Sequence, residues 1–161
     1  FGRIDKYKGI GNLVNAYRFV SDKALPLVIA GGGKLTEEEK KLIDRCDNLI
    51  VINRYIGDGE MKWLLHHMTA AVLPYIEATQ SGIIPLAYLF GKPVIVSDVP
   101  GLTQFVMDGE TGIICHSEEN LKNALIQFSS KKSLIQESKI REYYQANMDW
   151  NRNTRELFNK L

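Results

Sequence analysis

The sequence predicts an α/β fold, a parallel sheet with helices on both faces. Three observations predict it. Short apolar runs of strand length alternate with segments of helical period along the chain. The runs read as buried strands, rich in Val, Ile and Leu. Helix caps and stops fall between them at the spacing of strand–helix–strand units, whose crossovers are right-handed.

Each element has a local reason. Residues 9–21 place Ile10, Leu13, Val14, Tyr17 and Val20 on one helical face. Residues 26–30 form a buried-strand run that ends in Gly31, Gly32 and Gly33. Thr36 and Glu39 make the Thr-x-x-Glu capping box of a helix reaching about residue 46. Residues 49–52 read as the next strand, followed by a helix over about 59–68. Residues 70–74 are another strand. Ser81 stands at the N-cap position of a helix to residue 90, stopped by Gly91-Lys92. Residues 93–97 and 112–115 are strands, and Ser117 caps a helix to about 128. Beyond 131 the chain reads as helical, with one break near 147–150. Trp63, Trp150, Tyr143 and Tyr144 read as packing residues, and of His66 and His67 one packs and one faces solvent.

Composition narrows the function classes. At 161 residues, 45% hydrophobic and 24% charged, the chain is one globular domain, not a disordered or low-complexity segment. Its longest apolar runs, such as 83–90, are far shorter than a membrane span. A net charge of +1 lacks the basic excess of a dedicated nucleic-acid binder. Cys46 and Cys115 form neither a metal spacing nor a disulfide framework, which fits a reducing, cytoplasmic setting. His66, His67 and His116 are too badly spaced for a metal cage. Phe1-Gly2-Arg3 has no complete strand in front of it, so a piece of a longer protein is expected.

In an open parallel sheet, ligands sit beyond the carboxyl ends of the strands. Those ends are residues 2–8, 31–34, 53–58, 75–82 and 98–103. Familiar nucleotide motifs are not completed there. Thr36 stands where the third glycine of Gly-x-Gly-x-x-Gly belongs, and Leu35 follows Gly33-Lys34 where a P-loop needs Ser or Thr. No Gly-x-Ser-x-Gly elbow occurs.

Two features remain. Gly2-Arg3-x-x-x-x-Lys8-Gly9 puts a guanidinium and an ammonium on one strand-to-helix loop, a pair suited to a diphosphate. Both could equally be solvated surface charges. Thr79, Gln80, Ser81 and Gly82 supply hydroxyl, amide and backbone donors at the start of a helix, where phosphate binds readily. A plain N-cap is the simpler reading of that turn. Both features fall at the same predicted sheet edge. Together with Glu77 they meet the needs of a nucleotide diphosphate sugar.

The order Gly-Arg-x-x-x-x-Lys-Gly, Leu-Val-Ile-Ala-Gly-Gly-Gly, Pro-Tyr-x-Glu-Ala-Thr-Gln-Ser-Gly, Phe-Gly-Lys-Pro-Val-Ile-Val-Ser-Asp-Val-Pro-Gly-Leu and Asp-Gly-Glu-Thr-Gly-Ile resembles the C-terminal half of group 1 (family 4) retaining glycosyltransferases. The likeness runs from Gly2 to the final helix. It implies a Rossmann-like domain, the donor-binding half of a GT-B architecture, with an N-terminal acceptor domain outside the chain. By the resemblance Arg3 and Lys8 contact the donor diphosphate. The turn from Thr79 through Gln80 and Ser81 to Gly82 holds the distal phosphate, and Glu77 meets the hydroxyls of the transferred sugar. Gly2, Gly31, Gly32 and Arg54 line the nucleotide.

The resemblance further implies retaining transfer of a sugar from a UDP-, GDP- or ADP-sugar to a glycan or lipid-linked acceptor in surface polysaccharide or glycoconjugate synthesis. No cofactor or metal is expected, since no Asp-x-Asp pair is present and two cations serve the diphosphate. The expected setting is cytoplasmic, with peripheral association of the full-length protein at the inner face of the membrane. The last helix, 151–161, is expected to pack on the absent domain.

One departure stands out. The family's second glutamate, eight residues after the first, falls on Pro85, or on Leu86 counting back from Gly91. Ribose recognition must then use another group. The gap leaves open a non-catalytic nucleotide-binding module on the same fold. An epimerase of the same architecture would need an acid pair that the chain does not supply.

Overall fold

The structure, a computed structural model, describes residues 1–129 and 135–149. In order, α1 (Ile10–Arg18) precedes β1 (Leu27–Ala30), α2 (Glu37–Ile43), β2 (Leu49–Ile52) and α3 (Asp58–His67). Then come β3 (Ala71–Leu73), α4 (Ile83–Leu89), β4 (Val94–Ser97), α5 (Pro100–Thr103), β5 (Gly112–Cys115), α6 (Glu118–Ser129) and α7 (Glu137–Asn147). The expected helix over 151–161 and Trp150 lie outside the described residues.

All strand pairs are parallel. β1 runs beside β2 from Leu27↔Leu49 to Ala30↔Ile52. β4 lies between β3 and β5, with Ile95 opposite both Val72 and Ile113. β4 shows why both faces are covered. Ile95 belongs to the core that α1 and α6 build, whereas Val94 and Val96, pointing the other way, belong to the core under α4 and α7. All three are essentially fully buried, a gain of roughly 1.5–3 kcal/mol each. In the second core, the buried Tyr88 hydroxyl donates to Thr111 Oγ1 at 2.8 Å, which satisfies both groups.

The expected single sheet is instead two, β1–β2 and β3–β4–β5. The opening segment lies between them and reaches both. Gly2 N–H donates to the Ala30 carbonyl and Ile4 N–H to the Gly32 carbonyl, each at 2.9 Å, and Ile76 N–H donates to the Tyr7 carbonyl at 2.8 Å. Only the Ile4↔Gly33 bridge forms there, so no continuous ladder joins the halves. A cavity of about 370 Å³ separates them, lined by Leu27, Ile29, Leu73 and Phe128 and reaching Lys8 and Tyr75 at the carboxyl ends.

Local signals account for most boundaries. The Thr36–Glu39 capping box forms, with Glu39 N–H donating to Thr36 Oγ1 and Thr36 N–H to Glu39 Oε2. Ser117 Oγ accepts from Asn120 N–H at the start of α6. Four details differ from expectation. Residues 100–103 form a helical turn, not a loop, because Pro100 at its first position needs no N–H partner. Lys6–Lys8 form a 3-10 turn capped by Asp5, which accepts from Lys6 N–H. Trp63 is 59% exposed rather than packed, and stacks on His67 with ring centroids 4.2 Å apart. Both His66 and His67 are exposed, His66 edge-on to Phe90, since α3 turns only one narrow stripe around Leu65 inward.

Candidate functional site

The carboxyl ends of β1, β2 and β3 bring most of the expected residues into one continuous edge. The first link is between glycine loops. A Cβ on Gly31 would lie 1.9 Å from the Gly2 carbonyl oxygen, and one on Gly32 would meet the Arg54 and Tyr55 backbone at 3.6 Å. Gly33 N–H also donates to Asn53 Oδ1 at 3.2 Å. The second link is from Gly2 onward. A Cβ there would stand 3.8 Å from Lys8 Nζ and 3.9 Å from Ile83 Cδ1, at the start of α4.

Lys8 is the cation that this edge ties across the fold. Its ammonium donates to the Tyr75 hydroxyl at 2.5 Å and sits 4.4 Å from the centre of that ring. The Tyr7 ring centre is 5.4 Å from the same ammonium. Tyr75 is only 5% exposed, and its hydroxyl reaches Ser81 Oγ at 3.4 Å. Lys8, 67 positions away in sequence from Tyr75, is thereby tied to the turn expected to take phosphate.

Arg3 behaves differently. Its guanidinium pairs with Asp5 at 2.9 Å and is 74% exposed. The structure joins Lys8 to the Ser81 turn through Tyr75 and turns Arg3 to its own loop neighbour. Arg54 is likewise committed: it makes bonds of 2.6 and 2.9 Å to the two oxygens of Glu60. That fork holds the Glu60 carboxyl down at about 2 and pushes the Arg54 guanidinium up.

The turn itself differs by a residue or two from the expected cap. α4 begins at Ile83 and spans seven residues, and Gly82, with helical backbone angles, stands at its cap. Ser81 Oγ still accepts from Ile83 N–H at 3.3 Å. Thr79, Gln80, Gly82 and Glu77 are exposed at this turn. Pro85 and Leu86 occupy the second-glutamate positions within α4 and are partly buried, so no carboxylate enters the edge there.

Three supports were not singled out in the sequence. Tyr75 carries no sequence signal of its own beyond its motif, and its role appears once Lys8 folds against it. Ser97, the last residue of β4, donates to the Tyr75 carbonyl at 2.5 Å. Gly101 in α5 touches the turn so closely that a Cβ would fall 2.0 Å from the Ala78 carbonyl oxygen. On the opposite side, Gly9 takes a left-handed φ of +64°, with its Cβ position 2.0 Å from the Pro74 carbonyl oxygen. Gly9 stands in the Gly-Arg-x-x-x-x-Lys-Gly motif and Gly101 in Ser-Asp-Val-Pro-Gly-Leu, and neither motif signals the contact its glycine makes.

Elsewhere on the carboxyl edge, His116 Nδ1 lies 2.8 Å from Asp98 Oδ2, both exposed. Among the described residues, no group of three or more His, Cys, Asp or Glu side chains converges as metal ligands do. No helix among them is long and apolar enough to cross a membrane.

The family described as glycosyl transferases group 1 matches residues 1–131. An uncharacterized glycosyltransferase of Methanocaldococcus jannaschii is 24% identical over 99% of the chain and 44% of its own length. A glycogen synthase of Mycobacterium tuberculosis is 31% identical over 71% of the chain and 28% of its own length. The chain thus spans less than half the length of these relatives. Among solved structures, Anabaena HepE in complex with UDP-glucose superposes with a TM-score of 0.76 at 16% identity, over 99% of the chain and 48% of HepE. The fold is the Rossmann-like α/β arrangement of GT-B glycosyltransferases.

Proposed function

The chain belongs to the group 1 glycosyl transferases, and on that premise we propose that it is the donor-binding domain of an enzyme that moves a sugar, of hexosyl type, from a nucleotide diphosphate sugar to an acceptor hydroxyl with retention. The observation that carries this reading is the Lys8–Tyr75–Ser81 contact, which sets a cation beside hydroxyl and amide donors at one strand edge. A departing diphosphate develops charge at that point, and preorganised donors stabilise it more than water does. Arg3 joins the clamp by leaving Asp5 for the stronger charge of the diphosphate. Glu77, exposed beside the turn, faces the transferred sugar, and Gly31, Gly32 and the Arg54 backbone form the nucleotide wall. The reading needs no cofactor beyond the donor, a UDP-, GDP- or ADP-sugar. HepE carries UDP-glucose on a fold of this kind, which puts UDP first among the bases to try.

The acceptor, a glycan or lipid-linked hydroxyl, comes to a second, N-terminal domain, so this chain alone transfers little or no sugar. Surface polysaccharide or glycoconjugate synthesis at the cytoplasmic face of a membrane is the setting that suits such an acceptor.

Pro85 and Leu86, where a ribose-binding carboxylate belongs, favour a second reading, a nucleotide-binding module without transfer. A thermal-shift panel of UDP, GDP, ADP and their sugars separates the two, since a ligand that binds only the folded state raises its melting temperature. A donor site gives a saturable shift with one preferred base. A module that has lost donor use gives no preference and no saturation.

A further inference from the structure

We propose that Tyr75 is a positioning residue: its hydroxyl latches Lys8 onto the Ser81 turn and leaves Lys8 and Ser81 with hydrogen-bond donors alone to offer. This role presupposes the donor site read above and says how that site is charged and aimed.

The polarity follows from counting donors and acceptors. A lysine ammonium has donors only, so the Tyr75 oxygen must accept from Lys8 across their 2.5 Å contact. The phenol proton can then go to Ser81 Oγ, 3.4 Å away, which is the direction we assign to a contact in which either oxygen could donate. Ser81 Oγ also accepts from Ile83 N–H at 3.3 Å. A serine hydroxyl accepts at two positions and donates one proton. With both acceptor positions taken, its proton is left to face outward. Lys8 keeps two further N–H donors. What Lys8 and Ser81 offer to an incoming group is therefore donors alone, the complement of phosphate oxygens.

Tyr75 is itself fixed from several sides. Its carbonyl accepts from Ser97 Oγ at 2.5 Å, and the following amide, Ile76 N–H, donates to the Tyr7 carbonyl at 2.8 Å. Its ring meets Tyr7 edge-on at 5.7 Å. The latch is thus built on β3 and β4, whereas Lys8 arrives on a loop. Without the phenol oxygen, the lysine stem regains its rotamers and Ser81 regains an open acceptor that repels a phosphate.

The test is a double-mutant cycle on the chain, titrated with whichever of UDP, GDP or ADP the panel selects. Tyr75→Phe keeps the ring and removes the latch. Since the bond lost is to a charged group, it should weaken diphosphate binding about tenfold. In a Lys8→Ala background the same change should alter binding by less than about twofold, because Tyr75 acts through Lys8. An equal loss in both backgrounds, or wild-type binding by Tyr75→Phe while Lys8→Ala binds poorly, overturns the role of Tyr75 and leaves the donor site standing. Unchanged binding by Lys8→Ala, or saturable binding of none of the three nucleotides, overturns the donor site and this role with it. A second readout needs no variant to fold. In the unliganded chain the Lys8 ammonium should give a slowly exchanging nitrogen-15 NMR signal at neutral pH, and absence of that signal contradicts the latch.

Discussion

Two stretches of the same carboxyl edge hold their cations in opposite ways. Beside β3, Lys8 is tied to a buried tyrosine 67 positions away, and no carboxylate takes part in that contact. Beside β2, Arg54 is forked onto Glu60, six positions on, with both side chains exposed. The two-pronged ion pair is the one already neutralised. Water screens it, and its net worth is small. The Lys8 pairing is to neutral oxygen and aromatic faces, so its charge stays available to an anion. The difference teaches that an ion pair's quality is a poor guide to a binding site. The informative cation is the one positioned without being paired.

The largest effect should come from the packing that shapes the Lys8 side. Gly101→Ala drives a Cβ into the Ala78 carbonyl and should cost about 3 kcal/mol in chemical denaturation, the upper end for overpacking. A variant as stable as wild type means that the turn at Thr79–Ser81 is not held by α5, and the contrast between the two stretches weakens.

Turnover comes next. In a full-length enzyme of the kind proposed above, Lys8→Ala should lower turnover about 100-fold if the ammonium stabilises transition-state charge. Arg3→Ala should cost nearer tenfold, because Arg3 must first leave Asp5. Equal losses put Arg3 on the same footing as Lys8 in the bound state.

The smallest effect belongs to the β2 side. Glu60→Gln should leave the thermal midpoint almost unchanged, since both partners are solvated. The Glu60 carboxyl is held at about 2, below its ordinary 4.5. Whatever the pair contributes is therefore complete above 4.5 and is lost as pH falls through about 2. An NMR titration that finds the Glu60 carboxyl at its ordinary value removes the fork with Arg54.

Much of this arrangement was legible in the residues. All five strands were, because a continuous Val/Ile/Leu run such as Pro93–Ser97 leaves a buried strand as its only economical conformation. The Thr36–Glu39 box and Ser117 were legible because capping is local. Lys8 and the Ser81 turn could be assigned to one edge by topology alone. What joins them could not. Tyr75 meets Lys8 only after β3 and the opening loop are laid side by side, and no periodicity encodes that approach. Gly101 was equally silent, since its reason is a carbonyl 23 positions upstream. The split into two sheets is not legible in the sequence either, because strand runs predict strands and not which edges pair.

The central claim is that Lys8, and not Arg54, is the cation that receives the donor's diphosphate. Titrating the chain and its Lys8→Ala and Arg54→Ala variants with the preferred nucleoside diphosphate compares them directly. Loss of a charged hydrogen bond predicts that Lys8→Ala binds at least about tenfold more weakly, with Arg54→Ala within about threefold of wild type. The reverse order, or two variants that both bind as wild type does, contradicts it.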